Sequence, residues 1–341
     1  MARTEVWTQA VPEPAIAESF AQRAEAAGWD GVVVVDSQNL TGDPYVGLAM
    51  MGRATERIGL ATGVTNPVTR HPAATANAIA SVQEYSGGRA VLGIGRGDSA
   101  LFHVGREPAP VAVFERYLRQ LAGYLRGEEV DLDGTPSRLH WLGRAAQPKV
   151  PLDVAATGPR VIGAAARHAD RITFAVGADP ERIRWGIGLA REARAEVGLD
   201  PDGMAFGAYV NVVPHPDPAT AVELARGTVA TVAHFSGMAG STGEGQRPED
   251  REVFERLHAN YDRPHHTMGR ARHAAVIDEE FAQRFGILGD PTLCMERLEE
   301  LRVAGATRFV IIGPSIDSDP DERRRSNQLM AEEVLPALQA S

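Results

Sequence analysis

A chain of 341 residues is long enough for two ordinary domains or for one large α/β barrel. Its 35 basic residues stand against 45 acidic ones, and the resulting charge of −10 works against non-specific binding to nucleic acid. With 43% hydrophobic residues and no apolar run approaching the roughly 18 that a membrane span needs, no membrane partner is expected, and the single cysteine excludes an intrachain disulfide or a thiolate-rich metal site.

The first stretch, MARTEVWTQAVPEP, lacks the apolar core and cleavage site of a secretory signal, so a cytoplasmic protein is expected. Residues 5–9 fit a strand, and a helix follows in which Ile16, Phe20, Ala24 and Ala27 share a face and Gly28 ends it. Residues 31–37, GVVVVDS, form an apolar run closed by an acid and a hydroxyl, as a central parallel strand with a functional tip would. After a helix over 43–54, residues 58–98 spell out a complete βαβ unit. Its strands are 58–65 and 90–95. Pro72 suits the first helical turn, Ile79, Val82 and Tyr85 recur at spacing three, and Ser86-Gly87-Gly88 stops the helix. A right-handed crossover brings the loops TGVTNP and GIGRGD side by side at one edge of the sheet, where the active site is expected.

Phe114, Tyr117, Leu118, Leu121 and Leu125 predict a helix over 110–126, and 127–149 reads as a connection with a short hairpin. Further strands are expected over 150–156, 170–176, 204–213 and 308–313. From 234 to 290 the rhythm lapses into an insertion with a glycine-rich start, SGMAGSTGEGQ, two helices near 249–260 and 272–285, and no strand pattern. In the next helix Cys294 shares a face with Leu298 and Leu301, which suits a buried structural thiol. Met330, Val334 and Leu338 mark a terminal helix. Eight strands predict one (β/α)8 TIM barrel over 1–341, with 234–290 as a helical insertion between strands seven and eight and the chemistry at the C-terminal strand ends.

Those ends are short of acid–base pairs and rich in glycine, which suits close approach to a flat ring and a phosphate better than a hydrolytic nucleophile. Thr157-Gly158-Pro159-Arg160, at a helix start, offers N–H groups and a guanidinium to an anion. A dinucleotide fingerprint in Gly93–Gly97 is disfavoured, because the third glycine is misplaced and the motif sits on the fourth strand.

DSQNL with DPYV, the run from ATGVTNP through RHP and SGGR to GIGRGDS, AATGPRVIGAAARHADRI and FGILGDP together resemble the luciferase-like monooxygenase superfamily. The likeness is to its coenzyme F420-dependent branch, the methylenetetrahydromethanopterin reductase-like oxidoreductases, and it covers nearly the whole chain. The resemblance implies a barrel that binds F420, with FMN as the alternative, and a homodimer. It implies a non-prolyl cis peptide at Gly63-Val64 behind the ring, in a loop that continues through Thr65 and Asn66. Asp36 and Ser37 would lie near the ring, Gly95, Arg96, Gly97 and Asp98 along the cofactor tail, and Thr157, Gly158, Pro159, Arg160, Gly177 and Ala178 near the phosphate. Asp36 is the candidate proton donor or acceptor, or else a carboxylate that caps its loop; Asp98 lines the tail or holds Arg96.

The activity implied is hydride transfer between F420 and a small organic substrate, with a reduced-FMN monooxygenase as alternative and a flavin-storing accessory subunit as the non-enzymatic one. Sugar-phosphate dehydrogenases of this branch carry a lysine and a histidine where this chain has Ala178 and Ser37, which argues against glucose 6-phosphate. Nothing in Trp7-Thr8-Gln9 identifies a pterin pocket. His258, His265, His266 and His273 lack carboxylates at ligand spacing, so no metal is expected and the insertion reads as a substrate-covering lid or solvated helices.

Overall fold

The computed structural model describes residues 3–237 and 245–340; part of the glycine-rich start of the insertion, residues 238–244, lies outside the described residues. Strands β1 (Glu5–Ala10), β2 (Gly31–Val34), β3 (Gly59–Thr62) and β4 (Ala90–Ile94) pair in parallel in chain order. An antiparallel hairpin of β5 (Val130–Leu132) and β6 (Thr135–Ser137) stands apart from them. β4 then continues to β7 (Leu152–Ala156), β8 (Arg171–Phe174) and β9 (Ala205–Pro214). After the short β10 (Ile287–Gly289), strand β11 (Arg308–Ile312) pairs with both β9 and β1, closing an eight-stranded parallel barrel. Helices from Ala17–Ala26 to the C-terminus cover its outside, as a (β/α)8 barrel requires. Among the described residues no helix is long and apolar enough to cross a membrane.

Side chains alternate along each strand. One set, including Val32, Val34, Leu60, Leu92, Val154 and Phe174, packs beneath the helices, and the other, Trp7, Val33, Ala61, Val91, Tyr209 and Val310, forms a cluster of its own within the barrel. The Trp7 indole fills the space over β2 and β3, where a Cβ on Gly31 or Gly59 would sit 2.1 or 2.6 Å from the ring. At the N-terminal end of the strands Arg308 lies 4.3 Å from the Trp7 ring, 2.6 Å from Glu5 and 3.4 Å from Asp153. Burial pushes the Asp153 carboxyl above its usual range while Thr173 donates to it. This ionic layer fills the bottom of the barrel and leaves the C-terminal end for ligands.

The start of the βαβ unit over residues 58–98 is clamped by one of its own polar groups and one from the first helix. The Arg89 guanidinium donates to the carbonyls of Gly52, Thr55 and Ile58, and the Glu25 carboxylate accepts the N–H groups of Glu56, Arg57 and Ile58. Gly87 and Gly88, at φ 70° and 92°, end the helix Pro72–Ser86 in the left-handed conformation that glycine adopts without cost.

Several boundaries depart from the sequence reading. β2 ends at Val34 and β8 at Phe174, so Asp36, Ser37 and Gly177 belong to loops. The helix Ala17–Ala26 buries Ala17, Ala21 and Ala24, and Ile16 is 42% exposed because it precedes the helix. The helix expected over 272–285 is broken: a 3-10 turn, Ala274–Val276, is followed by Glu279–Phe285, which starts afresh where the Asp278 side chain accepts the Phe281 N–H at 2.8 Å. The insertion also contains a strand, since β10 pairs with the far end of β9; three residues are too few to show an alternating pattern. Its helix Pro248–Asn260 packs Phe254 against Phe281 and Phe285 in a second apolar cluster beside the barrel.

Candidate active site

A cavity of about 1260 Å³, counted to its open mouth, sits at the C-terminal strand ends. Its floor consists of the last inward-facing residues of the strands and the residues just beyond them, Gln9, Val35, Gly63, Ala155, Ala175, Tyr209 and Ile312. One wall comes from the loops after β2, β3 and β4, and the opposite wall from the helix Pro218–Ser236 and the insertion.

On the first wall, the Asp36 carboxyl is buried and accepts a hydrogen bond from Thr65 Oγ1 at 2.7 Å. Burial raises its pKa above the usual carboxylate value, and the Thr65 hydroxyl and the Arg70 guanidinium, 4.0 Å away, only partly offset this. Arg70 is itself paired with Asp43 and lies 4.7 Å from the Tyr45 ring centroid. Beside Asp36 the Gly63–Val64 peptide bond is cis, and both residues line the cavity. Asn66 lines the cavity, and its side-chain Oδ1 accepts from the N–H groups of Val68 and Thr69. Ser37, Gly95, Gly97 and Asp98 also line the cavity.

Arg96 is fixed twice to Ala109, donating from Nε at 2.6 Å and accepting the Ala109 N–H at its own carbonyl. Burial lowers its pKa, and the nearby Arg160 charge adds to the effect. Among the described residues neither arginine has an ion-pair partner; Arg96 lines the cavity, and the exposed Arg160 lies near it, outside the lining. Thr157 and Val161 line it there, bracketing Gly158, Pro159 and Arg160 at a helix start that no side chain caps. Asp98 does not hold Arg96: its carboxylate faces His234 at 3.4 Å.

Six expected residues lie outside the lining: Gly158, Pro159 and Arg160 beside its Thr157 end, and Thr65, Gly177 and Ala178. Thr65 is fully buried and acts through Asp36. Gly177 packs against the Phe285 ring, where a Cβ would lie 2.7 Å away. Ala178 is buried, donates its N–H to the Phe285 carbonyl and accepts at its own carbonyl from Arg297. The insertion has folded over this strand end and used the backbone groups a phosphate would need.

Two features escaped the sequence reading. Asn211 is buried with neither amide atom hydrogen-bonded, in register with the lining residue Ile312 and on the Tyr209 face of β9. A lone asparagine at a strand end gives little warning of this. The second is the wall from the insertion, where His266 and Thr267 reach the cavity beside Thr228, Thr231, Val232 and Phe235. Of the four insertion histidines considered as ligands, His266 bonds to Tyr261, His265 to Asp262 and His258 to His234, while His273 accepts the Asp262 N–H. No grouping of three or more metal-binding side chains occurs among the described residues.

The cavity can take an anionic ligand, with the cis peptide in its lining, the Arg96 guanidinium at one end and Arg160 nearby outside the lining. The chain is 28% identical over 323 residues to the 5,10-methylenetetrahydromethanopterin reductase of Methanolobus tindarius, covering 93% of this chain and 94% of that one. It is 29% identical over 361 residues to the F420-dependent glucose-6-phosphate dehydrogenase of Beutenbergia cavernae, covering 96% of each. The fold matches the coenzyme F420-dependent tetrahydromethanopterin reductase of Methanopyrus kandleri with a TM-score of 0.74 at 24% identity, over 99% of this chain and 100% of that one. It matches an F420-dependent secondary alcohol dehydrogenase bound to an F420–acetone adduct with the same TM-score at 20% identity, over 99% of each chain. The model of the luciferase-like monooxygenase family matches residues 1–308, and with the closed barrel and its C-terminal cavity this shows that the chain belongs to that family.

Proposed function

We propose that this protein is an F420-dependent oxidoreductase that passes a hydride between the deazaflavin and a small organic substrate. The observation that carries the reading is the presence, in the lining of one cavity, of a buried Asp36 carboxyl of raised pKa and of Arg96, which has no ion-pair partner among the described residues and has the Arg160 charge nearby. The relatives, whose names include F420-dependent enzymes, support the choice of cofactor. When bound, the deazaflavin supplies the hydride-carrying carbon. Gly63 and Val64 would back its ring, Asn66 would lie beside it, and Arg96, with Thr157 in the lining and Arg160 nearby, would hold the anionic tail. Asp36, a buried carboxyl whose pKa desolvation raises, is the group that would give or take the substrate's proton, and Thr65 donates a hydrogen bond to it. The substrates in the relatives' names are not carried over: Ala178 is buried where a phosphate-binding lysine would be needed.

The test is to titrate the purified protein with F420 and with FMN while following tryptophan fluorescence. Saturable F420 binding is expected; tight FMN binding with no F420 response overturns the reading in favour of a flavin monooxygenase. A homodimer belongs to the same reading, supported by Val46 and Met50, which lie one helical turn apart and are 63% and 45% exposed. Light scattering on the eluting protein checks it.

A further inference from the structure

Among the described residues that line the wall built by the insertion and the helix Pro218–Ser236, His266 is the one titratable group. Its Nδ1 lies 2.7 Å from the Tyr261 hydroxyl and 3.5 Å from Ser99 Oγ, so that hydroxyls face this nitrogen, and its Nε2 has no hydrogen-bond partner among the described residues. Tyr261 is itself wedged in place, with its ring stacked 3.5 Å from that of His234 at an interplanar angle of 6° and 4.5 Å from that of His273. Burial pushes the Tyr261 pKa up, so its oxygen keeps its proton and has one to donate. A hydroxyl that donates to Nδ1 leaves the neutral ring with its N–H on Nε2.

We propose that His266, positioned by Tyr261, is the hydrogen-bond donor that reads an uncharged acceptor atom of the substrate, such as a carbonyl or hydroxyl oxygen. The proposal rests on the F420-dependent reading above and assigns its substrate class. Charge points the same way as geometry. Burial lowers the His266 pKa to about 4, with the Asp98 carboxylate opposing and His273, His234 and His103 adding to the fall, so the ring is neutral near pH 7. The Thr228 and Thr231 hydroxyls on the same wall already donate to the carbonyls of Gly313 and Gly227. Arg96 is the one arginine in the lining among the described residues, and the Asp98 carboxylate acts on His266. A substrate carboxylate or phosphate beside His266 would therefore meet the Asp98 carboxylate on a wall whose lining holds no arginine or lysine.

The test uses [15N]histidine-labelled full-length protein, with and without F420, titrated with cyclohexanone and cyclohexanol as uncharged probes and with cyclohexanecarboxylate as the anionic one. Nitrogen shifts of free wild-type protein are expected to report a neutral His266 with its proton on Nε2. Tyr261→Phe loses that tautomer preference while keeping the ring stack. An uncharged probe moves the His266 resonance; His266→Ala weakens its binding about fivefold, and His266→Gln, which retains an amide donor, restores most of it. None of the three variants changes the F420 dissociation constant. The inference is overturned if the anionic probe binds as tightly as the uncharged ones, if neither uncharged probe moves the resonance, or if Tyr261→Phe leaves the tautomer as it was. Failure to bind F420 overturns the proposed function instead, and the response of the free protein still decides the role of His266.

Discussion

The two walls of the cavity are built on opposite plans. The wall from the loops after β2, β3 and β4 is largely backbone, with glycines, one cis peptide and polar side chains tied down by a contiguous βαβ unit. The wall from the insertion is made of side chains from segments far apart in the chain, and its polar groups hang on a stack of imidazole and phenol rings. A backbone wall suits a cofactor that many relatives share. A side-chain wall can be rewritten at small cost to the fold and suits the substrate. The difference teaches that binding and selectivity are separable here, which makes it open to experiment.

The largest expected effect is on the first wall. Asp36→Asn is expected to lower turnover by about 100-fold or more with F420 affinity nearly unchanged, measured by steady-state kinetics and fluorescence titration. The same variant should be more stable than wild type at neutral pH. The raised Asp36 pKa means that ionisation costs folding free energy once the pH exceeds the folded-state pKa, and that this cost vanishes below the unfolded-state pKa. Melting curves at pH 7 and pH 4 check this, with the advantage of the variant shrinking in acid.

Arg96→Met and Arg160→Met come next, each expected to weaken F420 binding about tenfold. Wild-type affinity should fall more steeply with salt than that of either variant. If either leaves the affinity unaltered, the anionic tail lies elsewhere and the division between the walls fails.

A smaller effect sharpens the comparison from the other side. His266 and His273 both have pKa values lowered to about 4 from an ordinary 6.5, so they take up protons more readily when unfolded. Stability is therefore lost as the pH falls from about 6.5 toward 4, the opposite of the Asp36 contribution. Hydrogen exchange at pH 7 and pH 5 should show residues 248–285 losing protection in acid before β3 and β4 do. Equal loss in both regions would mean that the insertion is not a separately responding unit.

The smallest effect is expected for Thr65→Val, which removes the donor to Asp36 and raises the carboxyl pKa further. The limb of the pH–rate profile governed by Asp36 should shift to higher pH, with a loss of only a few-fold at the optimum.

Much of the first wall was legible because its parts are contiguous. Apolar runs ending in Asp36, in Gly63 and in Gly95 mark strand tips, and the crossover rule sets their loops side by side. The limits of this reading show at Thr65, which the pattern assigned to the ligand and the fold turns toward Asp36. They show again at Gly177 and Ala178, where Phe285, more than a hundred residues later, occupies the strand end. A strand tip can be read locally; what covers it cannot.

The sequence by itself determined the eight-stranded barrel, the end at which chemistry occurs and the family, because hydrophobic period, glycine placement and contiguous motifs are local properties. Only the tertiary structure decided that Asn211 is left without partners, that Arg160 stands near Arg96, and that Tyr261 holds His266 at the cavity. Those facts depend on packing between residues distant in the chain, and on burial, which strips water from a group and so fixes both its charge and its need for a partner.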